Sequence, residues 1–180
     1  MGDTSTIYTL GHSNRDRDEF LQILFSWDLD VLVDVRRYPE STRFPHFRTS
    51  NLEVDLPDVD VRYRQLGEEL GGYVEDQELP VDPERMSGWE ADGFKSYAAY
   101  TESETFRDGL EQLEEWARED TTAFMCAEGW YRKCHRQLIA DQLSARGWSV
   151  RHIQSPDSAE DHEFLNVVTA DDERAWYRDP

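Results

Sequence analysis

Apolar positions along the chain fall into short runs that alternate with helical stripes. Residues 7–10, Ile-Tyr-Thr-Leu, make a run that stops at Gly11 and predict a first strand. Asn14 or Asp16 can cap the helix that follows, and Asp16 with Glu19 has capping-box spacing. Phe20, Leu21, Leu24 and Trp27 then share one helical face. Residues 31–35, Val-Leu-Val-Asp-Val, are the nearly continuous apolar run expected of a strand buried on both faces of a parallel sheet. The chain thus opens as strand, helix, strand, with a right-handed crossover expected.

Periodicity weakens between about 38 and 100, where Pro39, Pro45, Pro57, Pro80 and Pro83 break long elements and Gly71-Gly72 marks a turn. Residues 59–63 alternate like a strand, and 73–96 read as an insertion or lid. Order returns with the stripe Phe106, Leu110, Leu113 and Trp116, for which Thr101 and Glu104 offer a capping box. A strand at 122–126, a turn at 127–132, a helix at 133–146 ended by Gly147 and a strand at 149–153 complete the pattern. A short strand at 164–168 is the one element expected beyond them. This alternation predicts a single α/β domain, a mostly parallel sheet flanked by helices, over residues 1–155, with an irregular insertion at about 38–100. Residues 156–180 read as an acidic C-terminal tail.

Composition changes the picture in one respect. The chain has 180 residues with 39 Asp and Glu against 19 Lys and Arg, a formal net charge of -20, and its only lysines are Lys95 and Lys133. Excess carboxylate with Lys nearly absent points to a protein of concentrated salt, from a haloarchaeal-like source, because screening there removes self-repulsion. An ordinary acidic protein is the alternative. Six Trp, eight Tyr and eight Phe supply a core and argue against disorder. The overall field repels nucleic acid and anionic membranes, although a basic cleft inside an acidic shell can still hold an anion. No apolar stretch approaches a membrane span, and the opening MGDTSTIYTL lacks the basic and apolar regions of a signal peptide, so a cytoplasmic location is expected. Two cysteines make no disulfide framework.

Chemistry collects where strands end: His12, Ser13 and Asn14 after the first, Arg36 and Arg37 after the second, Cys126 and Glu128 at the third. The carboxyl ends of parallel strands share one edge, and ligands bind in the crevice outside it. Cys134, His135 and Arg136 stand at the start of the next helix, where the helix dipole and neighbouring Arg favour a thiolate. Cys134 is therefore either a nucleophile, with His135 or His12 as acid or base, or a small apolar residue packed under the helix. Ser13 and Asn14 can hold an anion or simply cap a helix, and Arg36 can clamp an anion or pair with Asp34 or Glu128. Cys126, Glu128, Cys134, His135 and His12 lack zinc-site spacing, so no metal ligand is assigned, and no dinucleotide or P-loop fingerprint is present. Residues 43–48, Arg-Phe-Pro-His-Phe-Arg, can stack on a base or cover a pocket, or act as a packing plug.

The motifs at 7–14 (IYTLGHSN), 32–36 (LVDVR), 70–72 (LGG), 125–128 (MCAE), 134–136 (CHR) and 150–153 (VRHI) occur in an order that resembles the DUF488 family, prokaryotic proteins of unassigned function. The resemblance runs from about 6 to 154. It implies that His12, Ser13, Asp34, Arg36, Cys126, Glu128, Cys134, His135, Arg136 and His152 occupy the family's polar positions and share a site. It supplies no substrate, mechanism or cofactor. The resulting expectation is a small enzyme, a Cys-dependent transferase or hydrolase acting on a small anionic substrate or a nucleic-acid end. Cys134, His135, Glu128 and His12 would be catalytic, and Ser13, Asn14, Arg36, Arg136, Cys126 and His152 would bind substrate. A non-catalytic nucleotide or nucleic-acid binding module is the alternative, with a metal-binding protein behind it.

Overall fold

The computed structural model describes residues 5–74 and 77–178. The first four residues of the opening segment, two within 73–96 and the last two of the tail lie outside them. The elements run β1 (Thr6–Gly11), α1 (Arg17–Ser26), β2 (Val31–Asp34), α2 (Thr49–Asp55), β3 (Arg62–Gln65), α3 (Gly67–Leu70), α4 (Asp92–Tyr100), α5 (Glu104–Glu119), β4 (Thr122–Cys126), α6 (Arg136–Ala145), β5 (Ser149–Ser155), β6 (Ser158–Asp161), β7 (Thr169–Ala170) and β8 (Ala175–Trp176). The main sheet has the order β3-β2-β4-β1-β5-β6, parallel except for the β5–β6 hairpin. This is the expected α/β fold.

Alternation of side chains divides each strand between two cores. Val31, Val33, Val35, Phe124, Cys126 and Val150 face a core shared with α4, α5 and α6. Leu32, Ala123, Met125 and Ile153 face α1 and α2 through Phe20, Leu24 and Leu52, joined by Phe47 from the 3-10 turn Pro45–Phe47. Every residue of β2 and β4 is buried, which accounts for the continuous apolar runs.

Capping explains several boundaries. Asp16 accepts the Glu19 amide at 2.8 Å and starts α1 as expected. α5 is capped by Ser103, whose hydroxyl accepts the Phe106 amide at 3.1 Å, and not by Thr101. The Thr101 hydroxyl donates instead to Ala98 O at 2.7 Å at the end of α4. Gly147, at φ +92°, ends α6 in a conformation that disfavours a side chain.

Other expectations change. The strand sought at 59–63 is β3, three residues later, because a 3-10 turn, Leu56–Val59, and Asp60 at φ 58° occupy its place. The helix expected from 133 begins at Arg136, after a separate 3-10 turn at Tyr131–Lys133. No strand forms at 164–168, and residues 156–178 belong to the fold rather than trailing from it. β6 lengthens the sheet, and Ala175 and Tyr177 are buried against α6. The Gln142 side chain donates to Ala175 O at 2.8 Å and accepts the Ala175 amide at 3.2 Å, while the Tyr177 hydroxyl reaches Leu138 O and Asp141 Oδ2, each at 3.2 Å. Among the described residues no helix is long and apolar enough to cross a membrane.

Candidate functional site

Three strand ends meet at the carboxyl edge of the sheet. β4 lies between β1 and β2, with Gly11 in register with Cys126 and Asp34 with Met125. α1 follows β1 on one face and α6 follows β4 on the other, so the chain order switches here and leaves a crevice.

Beneath that crevice lie two free thiols. Cys126 points toward α6, and Cys134 sits just before the His135 that opens it. Their sulfurs are 2.6 Å apart, with Cys134 the outer one at 7% exposure against 2% for Cys126. Arg136, 1% exposed, lies against the pair. Its Nε donates to Cys126 Sγ at 3.0 Å, one Nη to Thr9 Oγ1 at 2.9 Å, and the other to the carbonyls of Glu128 and Gly129 at 2.7 and 3.3 Å. Among the described residues no carboxylate lies within ion-pair distance of this buried guanidinium. Burial of a lone cation costs several kcal/mol, so the sulfurs are the nearest groups able to carry the opposing charge.

The electrostatics follow from that geometry. Burial pushes the Cys134 thiol up, but the hydrogen bond from Cys126, the Arg136 charge and the Arg136 amide outweigh it and hold Cys134 at about 7. Cys126 goes the other way, raised well above the ordinary thiol range by burial and then by its neighbour's hydrogen bond and charge. The dithiol thus releases one proton, from the outer sulfur. Beside it, His135 Nε2 lies 2.9 Å from Val35 O, an acceptor only, so Nε2 carries the hydrogen. His135 Nδ1 then turns its lone pair to Cys134 Sγ at 3.4 Å. Burial lowers the His135 pKa, leaving the ring neutral and able to take a proton from the thiol.

Two cavities adjoin above the sulfurs. One, of about 530 Å³, is lined by both cysteines, His135, Glu128 and the cations Arg36, Arg37 and Lys133, with Tyr38, Tyr73, Phe94 and Tyr97 as aromatic walls. The other, of about 450 Å³, contains His12, Ser13, Asn14, Arg43 and Phe44. Arg36, Tyr38, Ala127 and Glu128 border both. Tyr38 and Tyr73 stand 70% and 74% exposed with ring centroids 6.3 Å apart, a pair of flat faces open to solvent at the rim.

A family model described as a domain of unknown function, DUF488, matches residues 16–143. The chain belongs to the DUF488 family. No curated protein and no solved structure matches it. The DUF488 match takes in Arg36, Cys126, Glu128 and the Cys134-His135-Arg136 run, whereas His12, Ser13, Asn14 and His152 lie outside it.

Within this DUF488 fold the residues singled out from sequence take different places. Cys134, Cys126, His135, Glu128 and Arg36 meet at the larger cavity, and His12, Ser13 and Asn14 at the smaller one. His12 is nevertheless fully engaged: Nδ1 donates to Ser13 O at 2.9 Å, Nε2 accepts from Arg36 at 3.2 Å, and the ring stacks on Phe47 at 4.1 Å. Burial, reinforced by the Arg36 charge, pushes its pKa down to about 4 against the backbone hydrogen bond. Arg36 forms a two-pronged pair with Asp34, at 2.9 and 2.6 Å, and donates to Phe47 O at 2.7 Å. One hydrogen on its Nη1 has no partner among the described residues, and it is the cation both cavities share. Residues 43–48 divide between the two roles open to them, with Phe47 packed in the core and Arg43 and Phe44 on a cavity wall.

Arg136 and His152 line neither cavity. Arg136 is spent beneath the sulfurs. His152 stacks on Tyr131, with ring centroids 3.4 Å apart, inside a buried chain of hydrogen bonds. Arg136 donates to Thr9, Thr9 Oγ1 lies 2.9 Å from His152 Nδ1, His152 Nε2 lies 3.0 Å from His162 Nδ1, and His162 Nε2 donates to Asp141 at 2.8 Å. The chain links the buried Arg136 cation to the buried Asp141 carboxylate through two histidine rings. Sequence reasoning placed Arg37 at the strand edge without giving it a role, and missed Tyr38, Tyr73, Phe94, Tyr97 and Lys133 as lining residues. Only Arg37 and Lys133, each adjoining a motif residue, carried a signal. Among the described residues no group of three or more His, Cys, Asp or Glu side chains is arranged to hold a metal ion.

Proposed function

We propose that this DUF488 protein is a small cysteine-dependent enzyme that takes an anionic substrate, a nucleotide or a nucleic-acid end, and attacks it with the Cys134 thiolate. The observation that carries this reading is Arg136, a buried guanidinium set against two sulfurs with no carboxylate beside it. In this reading His135 Nδ1 accepts and returns the thiol proton, and Glu128, exposed between the cavities, serves a leaving group or an attacking water. Arg36, Arg37 and Lys133, with the Ser13-Asn14 turn, hold the anion, and Tyr38, Tyr73 and Phe94 flank a flat group. His12 positions Arg36 rather than shuttling a proton, because both its ring nitrogens are occupied. Free thiols at the centre fit a reducing, cytoplasmic setting, and the excess of carboxylates fits concentrated salt.

The test is the pH dependence of alkylation in the native, metal-free protein, read for each cysteine by peptide mass spectrometry. Cys134 is expected to react with an apparent pKa of about 7 and Cys126 to stay protected. Arg136→Met should move the Cys134 midpoint upward by a unit or more, roughly the loss of one buried charge interaction. Native thiols that do not react across the neutral range would make Cys134 a packing residue and overturn the reading. A non-catalytic binding module would instead retain ligand affinity in Cys134→Ser while showing no reactive thiol.

A further inference from the structure

A nucleophile for acyl or phosphoryl transfer needs one sulfur, and this site has two. The second is not remote. Cys126 Sγ lies 2.6 Å from Cys134 Sγ, both line the larger cavity, and Cys134 is the more exposed of two buried residues. Cys126 has its own means of ionising, since Arg136 Nε donates to it at 3.0 Å. It is fixed on β4 and Cys134 precedes α6, so the two are held by separate elements against one guanidinium.

Adjacent thiols do distinct chemistry when the group captured is sulfur. A thioester or thiophosphate on Cys134 would merely migrate to Cys126. A mixed disulfide on Cys134 would be released, because attack at Cys134 Sγ expels the captured sulfur as a thiolate. We propose that Cys126 is the resolving thiol of a two-cysteine centre and that the substrates are anionic compounds with an electrophilic sulfur, disulfides foremost. The proposal rests on the Cys134 thiolate and the anion site of the reading above, and puts a disulfide in place of the nucleotide or nucleic-acid end as the bond attacked.

The steps balance. Cys134 thiolate attacks the disulfide RS–SR, forming Cys134 S–SR and releasing RS⁻. Cys126 then loses its proton to water in the cavity and attacks Cys134 Sγ, forming the Cys126–Cys134 disulfide and releasing a second RS⁻. The substrate disulfide gains two electrons and the cysteine pair loses two. An external dithiol reopens the pair and resets the centre. Arg36, Arg37 and Lys133 receive the anionic group of the substrate, and the exposed Tyr38 and Tyr73 faces receive a flat one.

Dithiobis(nitrobenzoate) is a matched probe, being an aromatic, anionic disulfide that releases a coloured thiolate. One equivalent added to the intact protein should release two thiolates per chain. The product should carry no adduct, be lighter by two hydrogens, and return to the starting mass with dithiol. Cys126→Ser and, should the hydroxyl disturb folding, Cys126→Ala should release one thiolate and trap a stable adduct on Cys134. Wild-type protein that releases one thiolate and keeps an adduct on Cys134 would overturn the resolving role while leaving the Cys134 reading intact. Adducts on both cysteines would overturn it equally. No release from the native chain would overturn the reading beneath it.

Discussion

Buried histidines are costly to protonate, and His12, His135 and His152 are all held neutral by their surroundings. Burial leads in each case: His12 is pushed down to about 4 and His152 to about 2, with His162 and Arg136 adding to the latter, while His135 is lowered in the same direction. Their unfolded values lie near 6.5, so as pH falls the unfolded chain takes up protons that the folded chain refuses. Stability contributed by these rings is complete above about pH 6.5 and drains as pH drops toward the folded values. Urea midpoints are expected to fall between about pH 7 and about pH 5 by an amount worth up to about 2 kcal/mol for each of His12 and His152 at the acid end, with His135 acting in the same direction. A midpoint that holds steady across that range would show the rings to be protonated or solvated when folded. At this scale the site was half legible. Polar residue types at strand ends announced His12, Arg36, Cys126 and Glu128, because residue type and strand position are local properties. Whether a given group is free or spent is not local. Asp34 takes up most of Arg36 from two residues away on the same strand face, a pairing visible in the spacing. The engagement of His152 by Thr9 and His162 spans the whole chain.

Element geometry decides whether the dithiol can exist. β1 ends at Gly11, where a Cβ would lie inside the carbonyl of Glu128 and 2.9 Å from an Arg136 Nη nitrogen. That absent methyl lets the loop after β4 close over the Arg136 guanidinium and aim its carbonyls there. Gly11→Ala should therefore destabilise the fold by about 1–3 kcal/mol, an overpacking cost, and loosen Arg136 from the sulfurs. Thermal unfolding measures the first effect and the Cys134 alkylation midpoint, expected to rise, measures the second. An unchanged midpoint in a folded Gly11→Ala chain would detach Arg136 from control of the thiol. α6 shows why elements were unevenly legible. Its position followed from apolar spacing and Gly147, but Gln137, Asp141 and Gln142 look like a solvated face in sequence and, with the site candidate Arg136, are buried in the fold. Their partners come from distant segments: Thr9 for Arg136, Ala175 and Tyr177 for Gln142, His162 for Asp141. The same cause hid the role of 156–178, whose acidic composition masks two buried residues that close α6. α2 and α4 were hidden differently, being short helices among prolines and turns with too few periods to register.

For the molecule as a whole, the formal charge of -20 leaves carboxylates in excess even where the fold pairs its cations. Arg17 pairs with Asp55 and Asp58, Arg62 with Asp120, Arg146 with Glu114 and Arg178 with Glu102, while Arg36 and Arg136 serve the site. The surplus carboxylates therefore face one another across the surface, and folding brings them closer than they stand in the open chain. At about 0.1 M salt the screening length is ~10 Å and this repulsion is felt between neighbours; at about 1 M it is ~3 Å and largely gone. Screening also weakens the exposed ion pairs, but such pairs contribute only about 0–1 kcal/mol each, so relief of the net repulsion should win. The melting temperature is expected to rise by several degrees, on the order of 5 °C or more, between about 0.1 M and about 2 M potassium chloride. Chloride is the appropriate anion because sulfate would raise stability by exclusion from any protein surface. A melting temperature that stays flat or falls over that range would mean that the local ion pairs outweigh the global field. The carboxylate excess would then have to be explained by something other than salt.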